Sequence, residues 1–210
     1  MITVHHLNNS RSQRILWLLE ELGLDYKIVG YQRDPVSRFA PPELKAIHPL
    51  GKSPVITDGA VTINETGAIV EYILQTYGKG RLQPKPGTPE AIQYLQWMHY
   101  AEGSAMLPLL LMLYVGRLGE AGAPLQPRIQ SETANHLGYL EASLGTKNFF
   151  VGNELTGADI MLSFVVEAAG ARGIIDAYPN LKRFGQQIAA RPAYKRAVEK
   201  GGAYDYQVKA

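Results

Sequence analysis

The sequence predicts an α/β domain of four short strands followed by an all-helical domain. Three observations predict it. Up to Gly78, short β-branched runs alternate with amphipathic stretches. The segment Lys79 to Pro89 (KGRLQPKPGTP) then holds three prolines and three basic residues with no apolar period. Beyond it strand patterns almost vanish and helical periodicity takes over. The expected boundaries are residues 1–78, a linker at 79–89 and a helical domain at 90–210.

Ile2 to Val4 reads as the first strand. Arg14 to Leu22 reads as a helix with Ile15, Leu18, Leu19 and Leu22 on one face, and Gly23 is placed to end it. Tyr26 to Val29 is the second strand, leading into a loop over Tyr31 to Pro41, after which Pro42 opens a short helix. Val55 to Thr57 and Val61 to Ile63 flank Asp58-Gly59, a hairpin signal. Glu65 to Tyr77 is the next helix, closed by Gly78. In the second domain Thr88 is placed to cap a helix with Pro89 at its first position and Glu90 in its first turn. That helical region runs through Trp97 and Tyr100 toward Val115, with Gly103 and Pro108 predicting a bend. Arg128 to Leu144 sets Ile129, Thr133, Leu137, Leu140 and Leu144 on one face, and shorter helices begin at Pro179 and Pro192. Thr156 and Asp159 form a capping box inside a Leu155/Ile160 staple, so Asp159 reads as a folding element rather than a catalytic acid.

Composition narrows the function. With 46% hydrophobic and 19% charged residues in 210, a packed core is expected. The net charge is +2 with no run of like charges, which gives no footing for nucleic acid. The chain has no cysteine, so any thiol chemistry needs a sulfur that arrives with the substrate. The N-terminus lacks the pattern of a signal peptide, and the most apolar run, Met106 to Val115, is too short to span a bilayer. A cytoplasmic protein without membrane contact is expected. The five histidines show no metal-ligand spacing with acids, so no metal is expected.

The chemistry-bearing motifs are Ser10-Arg11 after the first strand, His48-Pro49-Leu50-Gly51-Lys52-Ser53-Pro54, Glu65-Thr66-Gly67-Ala68-Ile69, and the Thr156-to-Asp159 box. The first three suit a small peptide held by its backbone and by a charged amino-acid end. All four, in this order and with the domain switch between them, resemble the cytosolic glutathione transferases along nearly the whole chain. The likeness is to bacterial and fungal members with serine rather than tyrosine near the N-terminus. It implies a thioredoxin-like N-terminal domain with a mixed four-stranded sheet, an all-helical C-terminal domain, a homodimer, and glutathione as co-substrate.

The resemblance also implies roles. Ser53 and Pro54, joined by a cis bond, leave the Ser53 backbone to pair with the cysteinyl unit of glutathione. Glu65 meets the γ-glutamyl ammonium. The Thr66 hydroxyl and a helix N-terminus meet its carboxylate, and Lys52 meets the glycyl carboxylate. Ser10 is the expected catalytic residue, donating a hydrogen bond to the sulfur, with Arg11 adding positive potential. Ser12 is its rival, with helix capping as its plainer role, and Asn9 is a third group within reach. A thiol with a pKa near 8.5 is only a few per cent ionised at pH 7. Lowering it by about two units raises the thiolate fraction roughly 25-fold, while nucleophilicity falls by close to a factor of ten. Most of the catalysis must come from holding an electrophile beside the sulfur. A pocket between the domains is expected, with Leu7, Asn8, Tyr100, Ser104 and Met106 as its candidates.

Three function classes follow. Conjugation of glutathione to hydrophobic electrophiles, a detoxification chemistry, leads. Glutathione-dependent reduction of disulfides or peroxides uses the same thiolate. A non-catalytic, transferase-like binding protein is the third, and it predicts failure to bind glutathione.

Overall fold

The computed structural model describes residues 1–207. Contacts divide the chain into two compact units, one formed by Met1–Gln83 together with the chain from Ile188 onward, the other by Pro84–Gln187.

In the first unit β1 (Ile2–Leu7), α1 (Ser12–Leu22) and β2 (Tyr26–Tyr31) form a βαβ motif, with β1 and β2 parallel and Ile2 opposite Tyr26. After the short α2 (Glu43–Ile47), β3 (Val55–Asp58) returns antiparallel to β1 and turns at Asp58-Gly59 into β4 (Val61–Asn64). The sheet order is β2-β1-β3-β4, a mixed sheet of four strands. α3 (Thr66–Tyr77) follows. Gly23 ends α1 at φ 65°, where a Cβ would be strained, and Leu24 N–H bonds back to the Leu19 carbonyl.

The expectation of a one-faced α1 is corrected: every residue from Ser12 to Glu20 is buried. The cause is α9 (Pro192–Gly201), which the sequence reading assigned to the second domain and which packs along α1. Glu20, buried on α1, takes hydrogen bonds from Arg196 Nε (2.7 Å), Lys200 Nζ and the Tyr26 hydroxyl (2.7 Å). Glu21 binds Arg191 through two nitrogens at 2.5 and 2.9 Å. Trp17 packs edge-on against Tyr194, ring centres 5.6 Å apart. A second amphipathic helix thus covers the outer face of the first.

The second unit is helical among the described residues: α4 (Pro89–Tyr100), α5 (Met106–Gly116), α6 (Gln126–Leu144), α7 (Gly157–Gly170) and most of α8 (Pro179–Ala190). Thr88 caps α4, accepting from Ala91 N–H at 3.3 Å. Where a bend is expected at Gly103 and Pro108, a π-helical turn over Ala101–Ala105 links α4 to α5, and Pro108 lies inside α5. α6 buries Ile129, Thr133, Leu137, Leu140 and Leu144, the face its period predicted. The Thr156/Asp159 capping box opens α7, whose residues Gly157 to Ala169 are all buried. No helix among the described residues is long and apolar enough to cross a membrane.

Candidate functional site

The site is built where β1 runs out. Beyond Leu7 the chain turns through Asn8 and Asn9 into Ser10, then enters α1 at Ser12. Asn9 takes the left-handed turn at φ 51°, which asparagine tolerates better than most residues. Its side chain donates to Asp205 Oδ2 at 2.6 Å and accepts from the Asp205 N–H at 2.8 Å. It therefore anchors the chain after α9. Asn8 accepts from the Arg33 N–H at 2.8 Å, while the Arg33 guanidinium donates to the carbonyls of Asn8 (3.1 Å), Asn9 (3.4 Å) and Arg38 (3.0 Å). Arg33 holds this turn, a role that no motif in the sequence announces.

Ser10 is 5% exposed and Ser12 is fully buried. Their hydroxyls lie 2.7 Å apart, and Ser10 Oγ also accepts the Ser12 N–H at 3.2 Å. Ser12 Oγ lies 2.9 Å from His6 Nδ1, and His6 Nε2 lies 3.1 Å from the Gly201 carbonyl at the end of α9. Ser12 is accordingly not the cap of α1: it is the first helical residue, Arg11 precedes it, and its hydroxyl turns toward His6. Burial lowers the His6 pKa below the usual histidine value, partly opposed by its bond to Gly201. No motif in the sequence marks His6. The available signal was a polar residue on the strand face it shares with Ile2 and Val4.

The Ser53 loop is tied to the same strand end. Ser53 Oγ donates to the His5 carbonyl at 2.8 Å and accepts the Leu7 N–H at 3.2 Å. This extends the β1–β3 ladder past its last pair, His5 with Val55, where Pro54 has no N–H to give. The Ser53–Pro54 bond is cis. Lys52 is exposed beside it. Glu65 is exposed and stands before α3 at φ 66°, ψ 116°, a conformation that costs a side-chain-bearing residue of order 1–3 kcal/mol. Thr66 is buried as the first residue of α3, and no side chain from Glu65 caps that helix. Its first-turn N–H groups are suited to an anion.

Leu7 is 2% exposed, and Asn8 is occupied with Arg33. In the helical unit Met106 is buried and Ser104 lies in the π turn. Tyr100 bonds His136 Nδ1 at 2.6 Å and packs edge-on to Trp97 and Tyr139, both with ring centres 5.4 Å away. Burial, and then Tyr139, push the Tyr100 hydroxyl up to about 12.

Known proteins resemble this chain along most of its length. Residues 1–75 match the family model described as the glutathione S-transferase N-terminal domain, and residues 103–192 match that of the C-terminal domain. Glutathione S-transferase 3 of Schizosaccharomyces pombe is 35% identical, over 95% of this chain and 88% of its own length. Glutathione S-transferase 1 of Saccharomyces cerevisiae is 32% identical, over 97% and 96%. A crystal structure of a glutathione S-transferase from Actinobacillus pleuropneumoniae superposes with a TM-score of 0.90 at 38% identity, covering 100% of this chain and 97% of that one.

Proposed function

The chain belongs to the glutathione S-transferase family and is a glutathione transferase, and from that premise we propose how its residues bind glutathione and activate its sulfur. The observation that carries the assignment is the convergence on the end of β1: Ser53 Oγ clamps His5 and Leu7, and the same strand leads directly into buried Ser10. The backbone of Ser53 next to Pro54 pairs with the cysteinyl unit. Glu65 takes the γ-glutamyl ammonium, and Thr66 with the uncapped first turn of α3 takes the adjoining carboxylate. Exposed Lys52 takes the glycyl carboxylate. Ser10 is the hydroxyl beside the sulfur, with Arg11 next to it supplying positive potential, and Ser12 stands behind it.

The thiolate then attacks a hydrophobic electrophile in a detoxifying conjugation. Leu7 and Asn8 on the first unit, with Tyr100, Ser104 and Met106 on the second, are the electrophile-side residues in this reading. No metal is assigned a part, and the enzyme works in the cytoplasm. Homodimer formation is supported by Leu107, Leu111, Tyr114 and Leu118, exposed apolar residues spaced along one side of α5 and just past its end.

Calorimetric titration with reduced glutathione tests the assignment, together with turnover of an activated chloroarene. Ser10→Ala should keep glutathione affinity within a few-fold. Its kcat should fall about 10- to 100-fold, the value of one hydrogen bond to a charged group. If Ser12→Ala behaves this way and Ser10→Ala does not, the assignment of Ser10 fails.

A further inference from the structure

Four groups form one continuous hydrogen-bonded chain: Ser10 Oγ, Ser12 Oγ, the His6 imidazole and the Gly201 carbonyl. The direction of every proton in it can be deduced. A carbonyl only accepts, so His6 Nε2 carries a hydrogen toward Gly201. In a neutral ring Nδ1 is then a lone pair, and Ser12 must donate to it. Ser12 has one proton, so across the 2.7 Å gap Ser10 donates to Ser12. The alternative acceptor for Ser12, the Leu7 carbonyl, is 3.4 Å away. Using it would leave two pairs of lone pairs facing each other if Ser10 also turned toward the sulfur.

The resting chain therefore points the Ser10 proton away from the place where a thiolate needs it. In that arrangement Ser10 accepts an S–H and does not donate. Donating to a thiolate while keeping the 2.7 Å bond between the two hydroxyls means reversing both, and full pairing after reversal needs a proton on His6 Nδ1. The proton that the thiol loses is the one that reversal needs.

We propose that His6 and Ser12 are positioning residues that carry the glutathione thiol proton inward, storing it on the imidazole while Ser10 turns to hold the thiolate. In this step, which rests on the assignment of Ser10 above, the S–H bond breaks and its proton passes to Ser10 Oγ. The Ser10 proton moves to Ser12 Oγ, and the Ser12 proton moves to His6 Nδ1. The sulfur keeps the electron pair. The products are a thiolate and an imidazolium bridged by two hydroxyls, and the net charge of the site is unchanged.

Burial by itself opposes an imidazolium at His6, and the charged groups around it are committed elsewhere. From α1, Glu20 and Glu21 are engaged by Arg196, Lys200 and Arg191 of α9. Arg14 of α1 is buried, and Lys195 and Glu199 of α9 are exposed. Asp205 after α9 is bound to Asn9. On β1 itself, His5 alternates to the opposite face and bonds the Tyr31 hydroxyl at 3.0 Å. Gly30 of β2 lies opposite His6 in the sheet and brings no charge. The imidazolium is therefore balanced by the Gly201 carbonyl and by the thiolate at the other end of the chain. Gly201 makes the close approach possible, because a Cβ there would lie 3.4 Å from His6 Cε1 and 2.6 Å from Gln13 Oε1.

Side-chain nitrogen NMR of the intact protein labelled at histidine tests the proposal, with bound thiolate followed by its ultraviolet absorbance. Reduced glutathione should convert His6 from neutral ring to imidazolium as thiolate appears. S-methylglutathione, which has no thiol proton, should leave it neutral. Calorimetry in two buffers of different ionisation heat should show wild type releasing several-fold less proton to solvent than His6→Asn, at a pH where both hold the thiolate. Thiolate formation with His6 still neutral, or an equal His6 response to both ligands, overturns the relay while leaving Ser10 in place. Binding without any thiolate overturns the relay and the role of Ser10 together.

Discussion

Removing the Asp159 carboxylate should destabilise the helical unit without touching the chemistry. Asp159 is fully buried at the start of α7. It accepts the N–H groups of Phe150 and Thr156 and the Thr156 hydroxyl, each at 2.8 Å. In Asp159→Ala the hydroxyl can turn elsewhere, but two backbone N–H groups on residues only 2% and 6% exposed lose their acceptor. Each stranded donor costs about 1–3 kcal/mol, giving roughly 4 kcal/mol in all. At about 2–4 °C per kcal/mol for a chain of this size, Tm should fall by about 8–16 °C. The assay is thermal unfolding by circular dichroism, paired with turnover measured well below the transition. A Tm change under about 3 °C would refute the capping argument. An intact Tm with lost kcat would make Asp159 a participant in the reaction. A pH signature accompanies it. Burial raises the folded carboxyl to about 6 from 3.8, against four hydrogen bonds that lower it. The native state then binds the proton more tightly, so wild-type stability relative to Asp159→Asn should decline as pH rises between those values.

Glu20 should show the opposite slope. Burial raises its carboxyl, but Lys200, Arg196 and Tyr26 pull it further down, leaving it below its ordinary 4.5. Its contribution is fully present above that value, so the stability gap between wild type and Glu20→Gln, read by urea unfolding, should close as pH falls through the folded pKa. A gap that widens on acidification contradicts the ion-pair reading. Gly201→Ala places a methyl 2.6 Å from Gln13 Oε1 and 3.0 Å from Leu16 Cδ1, both on fully packed α1. It should cost about 1–3 kcal/mol by overpacking, and an unchanged Tm would show that α9 yields freely. Glu65→Gly relieves the positive φ and removes the ammonium partner. Calorimetry should show glutathione affinity about 10- to 100-fold weaker while the ligand-free Tm holds or rises. A lower Tm with full affinity would reverse both halves of that argument.

Features set by neighbours in sequence were legible. The Gly23 stop, the Asp58-Gly59 hairpin, the Thr88 and Thr156 caps and the buried face of α6 each depend on a few adjacent side chains. What escaped depends on residues far apart. α1 reads as one-faced until α9 covers its other side. Ser12 reads as a cap until the fold sets His6 beside it, and Asn9 reads as available until Asp205 occupies it. The strain at Glu65 is a backbone property that its side chain does not advertise. The signature motifs gave the family resemblance, while the proton arrangement behind Ser10 needed tertiary structure.

The bond between His6 and Gly201 joins residues 195 positions apart. Translation supplies residues in order from the N-terminus. A nascent chain that has emerged through Gln83 thus owns β1, α1 and Ser10, yet lacks the helix that seals α1 and the carbonyl that fixes the His6 tautomer. All of Pro84–Gln187 must be made before those parts arrive. Closing so long a loop is slow and entropically costly. Ser10 can therefore be set in its working arrangement only after α9 has been made, so ribosome-bound chains that stop short of Gly201 should not yet activate a thiol.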